Sequence, residues 1–159
     1  MVQMRRLASR ITLMICGFVA SAGLATAGIC PVVGGATDCD VVITITDSGT
    51  SVTITGQPPY DGIDDMLIGV ANFSSQPIRA LGLTSALPIF ALDGDGVVAF
   101  GLPGNAHDGT GYGGPNAYFT NISPDKTMGT VNFITPIPAF LGIGYFSLET
   151  SLSSAISCQ

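Results

Sequence analysis

Apolar and polar positions alternate in short runs along most of this chain. Residues 41–46 read V-V-I-T-I-T and residues 51–55 read S-V-T-I-T. Both alternate β-branched apolar residues with threonine, the period of a half-buried strand. Between them Asp47-Ser48-Gly49-Thr50 carries turn chemistry, so the two runs are read as a hairpin ended by Gln57-Pro58-Pro59. Residues 66–73, M-L-I-G-V-A-N-F, form a near-continuous apolar run, the mark of a buried strand. Further strands are predicted at 78–83, 88–92, 97–100, 117–122, 127–134 and 143–148. Ser74-Ser75-Gln76-Pro77 and Asp93-Gly94-Asp95-Gly96 turn the chain, a Gly-rich loop spans 101–116, and Pro136 and Pro138 are expected to break it. Beyond residue 27 nothing repeats at i, i+3, i+4, i+7 over a helical length. Eight or nine short strands with irregular turns predict an all-β fold: a single antiparallel β-sandwich, immunoglobulin-like in general architecture.

The first 27 residues read differently. A basic stretch over 1–10 precedes an apolar run from Ile11 to Leu24, and Ala25-Thr26-Ala27 is a small-x-small cleavage site. That is the layout of a signal peptide. The domain is therefore expected over 28–159, with an irregular N-terminal segment at 28–40. No second apolar run reaches the roughly 20 residues of a membrane-spanning helix, so no span is expected in the mature chain. Export to the periplasm, cell surface or medium is the expected localisation.

Cleavage changes the charge picture. The 159-residue chain has a net charge of −6, and three of its five basic residues, Arg5, Arg6 and Arg10, leave with the leader. The mature chain then carries Arg79 and Lys126 against eleven acidic residues, a net charge of −9. Nucleic acid and anionic membrane are excluded as basic-patch partners. Three cysteines remain, Cys30, Cys39 and Cys158, in a compartment that permits disulfides. They allow one bridge, either Cys30–Cys39 or Cys39–Cys158. A single histidine and the lack of Cys-x-x-Cys spacing argue against zinc.

Five blocks carry a resemblance. Residues 60–70, Y-D-G-I-D-D-M-L-I-G-V, resemble Y-x-G-x-D-D-T-L-V-G-V. In order follow I-F-A-L-D-G-D-G at 89–96, G-Y-G-G-P at 111–115, G-T-V-N-F at 129–133 and Y-F-S-L-E at 145–149. Together they resemble a group of bacterial exported proteins of unknown function, many of which carry a C-terminal PEP-CTERM sorting signal. The resemblance implies export and a β-sandwich, and no activity. This chain has no Pro-Glu-Pro motif, following apolar helix or basic tail, so a soluble exported protein is expected rather than one anchored by that route.

The carboxylates are the only clustered functional groups. Asp93 and Asp95 flank Gly94, and Asp61, Asp64 and Asp65 precede the buried strand. Calcium takes six to eight oxygens from flexible loops, commonly several carboxylates with backbone carbonyls. The five aspartates are therefore candidate Ca2+ ligands. The plainer alternatives are a simple Asp-Gly turn and an acidic cap that keeps a strand edge soluble. His107 beside Asp108 invites a hydrolase reading, but no G-x-S-x-G elbow accompanies it. Tyr112, with Tyr118 and Phe119, is a candidate aromatic platform for a sugar or peptide. Non-enzymatic structural or surface-associated work is the leading expectation, with calcium as stabiliser and no other cofactor. The alternatives are a glycan- or protein-binding domain using the 101–116 loop, and a hydrolase using Asp residues and His107.

Overall fold

The computed structural model describes residues 28–150 together with the strand Ser157–Cys158. The proposed leader and its cleavage site lie outside the described residues, as does the Cys158 side chain. The strands are β1 (Val41–Thr46), β2 (Gly49–Ile54), β3 (Met66–Asn72), β4 (Ile78–Thr84), β5 (Ala117–Thr120), β6 (Met128–Ile137), β7 (Gly142–Leu148) and β8 (Ser157–Cys158). They form two sheets of order β2-β1-β3-β7 and β5-β6-β4-β8. The fold is all-β, and no helix among the described residues is long and apolar enough to cross a membrane.

Pairing is antiparallel except between β1 and β3, which run parallel from Val41↔Ile68 to Ile45↔Asn72. The expected purely antiparallel arrangement is corrected at that one junction, because the 19 residues between β1 and β3 carry the chain through β2 and back. The β1–β2 hairpin forms as expected, with Thr46 opposite Gly49, and Gly49 takes a φ of 146° that favours glycine.

Both sheets feed one core. Ile43, Ile68 and Phe146 of the first meet Leu83, Val131 and Phe133 of the second. The outer face of the first sheet is covered too. Leu67 of β3 joins Cys30, Val33, Ala36, Cys39, Tyr60 and Val97 in a smaller core beneath the N-terminal segment. This second covering explains why the β3 run does not alternate: all seven residues are buried. Gly69 makes it possible, since a Cβ there would sit 2.3 Å from the Cys39 sulfur. Cys30 and Cys39 are disulfide-bonded, the first of the two pairings the sequence allowed.

Three sequence expectations fail for physical reasons. Residues 88–92 and 97–100 are not strands. Their apolar residues mark burial rather than a ladder: Ile89 and Phe90 anchor a loop in the main core. Successive i to i+3 bonds wind the second stretch, among them Ala99 N–H to the Gly96 carbonyl at 2.8 Å. Pro136 does not break β6, which runs on to Ile137. It lies past the β5 pairing, which ends at Phe133, and within the register shift opposite Ile78/Ala80. A missing ladder donor is tolerated there.

Candidate metal centre

Four separate segments deliver side chains to one end of the first sheet. The turn before β3 is held by Asp61, whose Oδ1 accepts from the N–H groups of Ile63, Asp64 and Asp65 at 3.0, 3.2 and 3.0 Å. Asp61 thus shapes the turn rather than joining the cluster, and Asp64 and Asp65 are placed by it. Asp65 then borders Glu149 through register: Met66 pairs with Leu148 across β3 and β7. Glu149 directly follows β7, and its N–H donates to the Ile89 carbonyl at 3.2 Å.

The third segment is the 93–96 turn. Gly94 takes a φ of 106°, and Asp95 N–H donates to Asp93 Oδ1 at 3.3 Å. A Cβ at Gly96 would lie 2.6 Å from the Gly111 carbonyl, so only glycine lets this turn approach the fourth segment, the 101–116 loop. That loop is tied down internally. Asn105 Nδ2 donates to the Gly114 and Ala117 carbonyls at 2.8 Å each. Asp108 accepts from Thr110 Oγ1 at 2.6 Å and from Gly113 N–H at 2.6 Å. Ser147 N–H and Oγ donate to the Tyr112 carbonyl at 2.8 and 3.0 Å, docking the loop on β7.

Tyr112 is consequently buried, at 0% exposure, and is not a surface platform. Its phenol oxygen lies 2.6 Å from Asp95 Oδ1, 2.6 Å from Glu149 Oε2, 3.1 Å from Asp65 Oδ1 and 3.1 Å from Asp93 Oδ1. A phenol has one proton to donate. Four acceptors surround it, and three of them face the oxygen without a shared hydrogen. The two basic residues after residue 27 lie elsewhere in sequence, Arg79 on β4 and Lys126 between β5 and β6.

The electrostatics follow. Burial first, then the charges of Asp95 and Asp61, push Asp65 up to about 7, against the pull of the Tyr60 and Tyr112 hydroxyls. Burial raises Glu149, helped by Asp93 and Asp64, and raises Asp64 with the charges of Asp61, Asp95 and Asp93. Asp93, on the exposed side, is held down by hydrogen bonding with Asp95 and Tyr112. Asp65 is 1% exposed, and its Oδ2 has no hydrogen-bond partner. A buried carboxylate oxygen without a donor is costly, and a cation would satisfy it.

Oxygens of Asp64, Asp65 and Glu149 lie within 4.8 Å of one another, and so do oxygens of Asp93, Asp95 and Glu149. An all-carboxylate set of this kind suits a hard cation, calcium above all. Of the five aspartates expected as ligands, Asp64, Asp65, Asp93 and Asp95 converge and Asp61 stands aside. Sequence reasoning missed Glu149 and Tyr112 as members. Each had a signal: Glu149 is the chain's only Glu and closes the last long strand, while Tyr112 sits in Gly111-Tyr112-Gly113-Gly114, a stretch built for close backbone approach.

The histidine is not drawn in. His107 is exposed and lies over Tyr118 with ring centroids 5.7 Å apart, while the Asp108 carboxylate is engaged by Thr110 and Gly113. No protein-family model, curated protein or solved structure matches this chain.

Proposed function

We propose that this chain is an exported, non-enzymatic β-sandwich module, immunoglobulin-like in general architecture, whose loop end is locked by calcium. The carrying observation is the convergence of Asp65, Asp93, Asp95 and Glu149 on the Tyr112 phenol, with the buried Asp65 Oδ2 unpartnered. A cation there ties the turn before β3, the 93–96 turn, the 101–116 loop and the end of β7 into one unit. Four of the five blocks that carry the resemblance to PEP-CTERM-type exported proteins supply these residues, which fits a shared structural device. The disulfide suits the exported compartment. A structural rather than catalytic role is favoured because the one histidine faces solvent and its neighbouring acid is already engaged.

Calorimetric melting in millimolar calcium and in chelator tests this reading. At a calcium concentration of about 100 times Kd, binding adds about 2.7 kcal/mol, or about 10 °C for a domain of this size. An unchanged melting temperature removes the calcium role.

One observation favours a second reading, a small-ligand site in the same loop. A cleft of about 540 Å³ opens beside the centre, lined by Gly94, Val98, Gly104, Asn105, Asp108 and Thr110 among others. A screen of soluble glycans by ligand-observed NMR, repeated on Asn105→Ala, tests it. Binding that survives this substitution argues against the cleft.

A further inference from the structure

We propose that the turn between β6 and β7 is a membrane-contacting tip, whose Phe140 and Leu141, flanked by Phe73 and Ile143, insert into the apolar edge of a lipid bilayer. This is independent of the calcium reading and concerns the opposite end of the first sheet. Phe140, Leu141, Phe73 and Ile143 are 68%, 74%, 49% and 55% exposed. They lie together. Leu67 faces the smaller core on the outer side of β3, and Phe73, six residues on, continues that face. The β3–β7 register, with Ala71 opposite Ile143 and Asn72 opposite Gly142, puts Ile143 and Leu141 beside it. Phe140 and Leu141 take φ values of 53° and 69°. A turn with two consecutive positive φ values is the place for Asn-Gly, and bulky side chains there are strained. Backbone and solubility both count against Phe-Leu, and a task for the apolar side chains accounts for it. The turn is also firmly held. The buried Asn72 donates through Nδ2 to the Gln76 and Pro138 carbonyls at 2.8 and 2.9 Å, and Phe140 N–H donates to the Ser74 carbonyl at 3.0 Å.

Area and charge point to lipid rather than to protein. Taking about 200 Å² for a whole Phe and somewhat less for Leu or Ile, the four expose on the order of 450 Å². That is the size at which an apolar patch marks an interaction site. It is only about half of the roughly 800 Å² that each partner of a stable protein pair buries. A bilayer needs no matching surface and accepts a tip of this size. The turns at this end, 47–48, 73–77 and 138–141, hold only one of the eleven acids, Asp47. Its Oδ1 is engaged by Ser75 N–H and Oγ at 2.8 and 2.9 Å. The exposed Arg79 lies at this end too, next to Ile78, which pairs with Ile137 at the last position of β6. It can meet a headgroup phosphate. The carboxylate centre sits at the other end of β3, a strand of seven residues that spans about 20 Å. That exceeds the Debye length of about 8 Å at physiological salt, so those acids do not repel a headgroup layer from the tip.

Co-sedimentation of the mature chain, residues 28–159, with phosphatidylcholine vesicles tests the proposal. This form holds every described strand and lacks the apolar run at 11–24, and chelator keeps calcium out of the result. Binding that persists in high salt is expected. Phe140→Asn with Leu141→Gly removes both apolar side chains and gives the turn the residues its φ values favour. The double variant is therefore expected to melt no lower than wild type, while its vesicle affinity falls by at least about tenfold. No binding by the wild type, or binding abolished by salt, overturns the proposal. Equal binding by the double variant overturns the assignment to this tip. A wild-type dimer in sedimentation velocity that the double variant loses, with no vesicle binding, overturns the lipid reading and makes a second copy the occupant.

Discussion

Asp40 offers a test of the electrostatics that involves no metal. It precedes β1 and is 1% exposed. Its Oδ2 accepts from Leu67 N–H at 2.6 Å, while its Oδ1 is buried without a partner. Burial raises it from 3.8 to about 6, with the Leu67 N–H pulling the other way. The folded chain therefore holds this proton more tightly than the unfolded chain. Below pH 3.8 both states are protonated and the group contributes its full stability. That contribution is lost as pH rises through about 6, because the unfolded chain releases the proton first. The gap from 3.8 to about 6 corresponds to about 3 kcal/mol, at about 1.4 kcal/mol per pH unit. Asp40→Asn removes the charge and keeps an acceptor for Leu67. Its amide nitrogen inherits the unpartnered position, which costs about 1.5 kcal/mol. The net expectation at pH 8 is a gain of about 1.5 kcal/mol, or about 6 °C in Tm. At pH 4 the variant is the less stable by a similar amount. Thermal melts of both proteins from pH 4 to 8, in chelator throughout, should give curves that cross. A constant offset across that range would refute the reasoning.

The remaining predictions concern the staple and the phenol. Cys30→Ser with Cys39→Ser opens a loop of nine-residue separation, whose closure entropy is about 2.6 kcal/mol; a Tm lower by about 10 °C is expected in non-reducing melts. A loss under about 2 °C would mean the N-terminal segment is held by its apolar contacts alone. Tyr112→Phe deletes the single O–H donor that the four surrounding carboxylates compete for and should cost about 1.5–3 kcal/mol in chelator, but clearly less in calcium, because the ion takes over the neutralising role. Equal losses in both buffers would reduce Tyr112 to a packing residue.

Much of the fold was legible in the chain, for reasons that particular residues make plain. The V-V-I-T-I-T and S-V-T-I-T runs became β1 and β2 because threonine alternation and the Asp47-Ser48-Gly49 turn point to the same hairpin. The β3 run read as buried because both of its faces are covered. Ile89 and Phe90 misled because apolarity reports burial, and a loop can plug a core as well as a strand can. Pro136 misled because its effect depends on whether a neighbouring strand needs its N–H, which sequence does not encode locally. The centre was half legible. Asp93 and Asp95 announce themselves by local spacing, as do Asp64 and Asp65. Glu149 does not, since it meets Asp65 only through the β3–β7 register, a contact spanning more than 80 positions of sequence. Asp61 looked like its neighbours, and only the hydrogen-bond geometry separates a residue that shapes the turn from one that faces the centre.

The central claim is that these carboxylates hold calcium. Diffraction from crystals grown in millimolar calcium, with the ion's anomalous signal recorded, tests it most directly. The account predicts anomalous density between Asp65, Glu149, Asp93 and Asp95, with oxygens at roughly 2.3–2.6 Å from the peak. Absence of density there, with the Tyr112 phenol still packed among the four carboxylates, would contradict it.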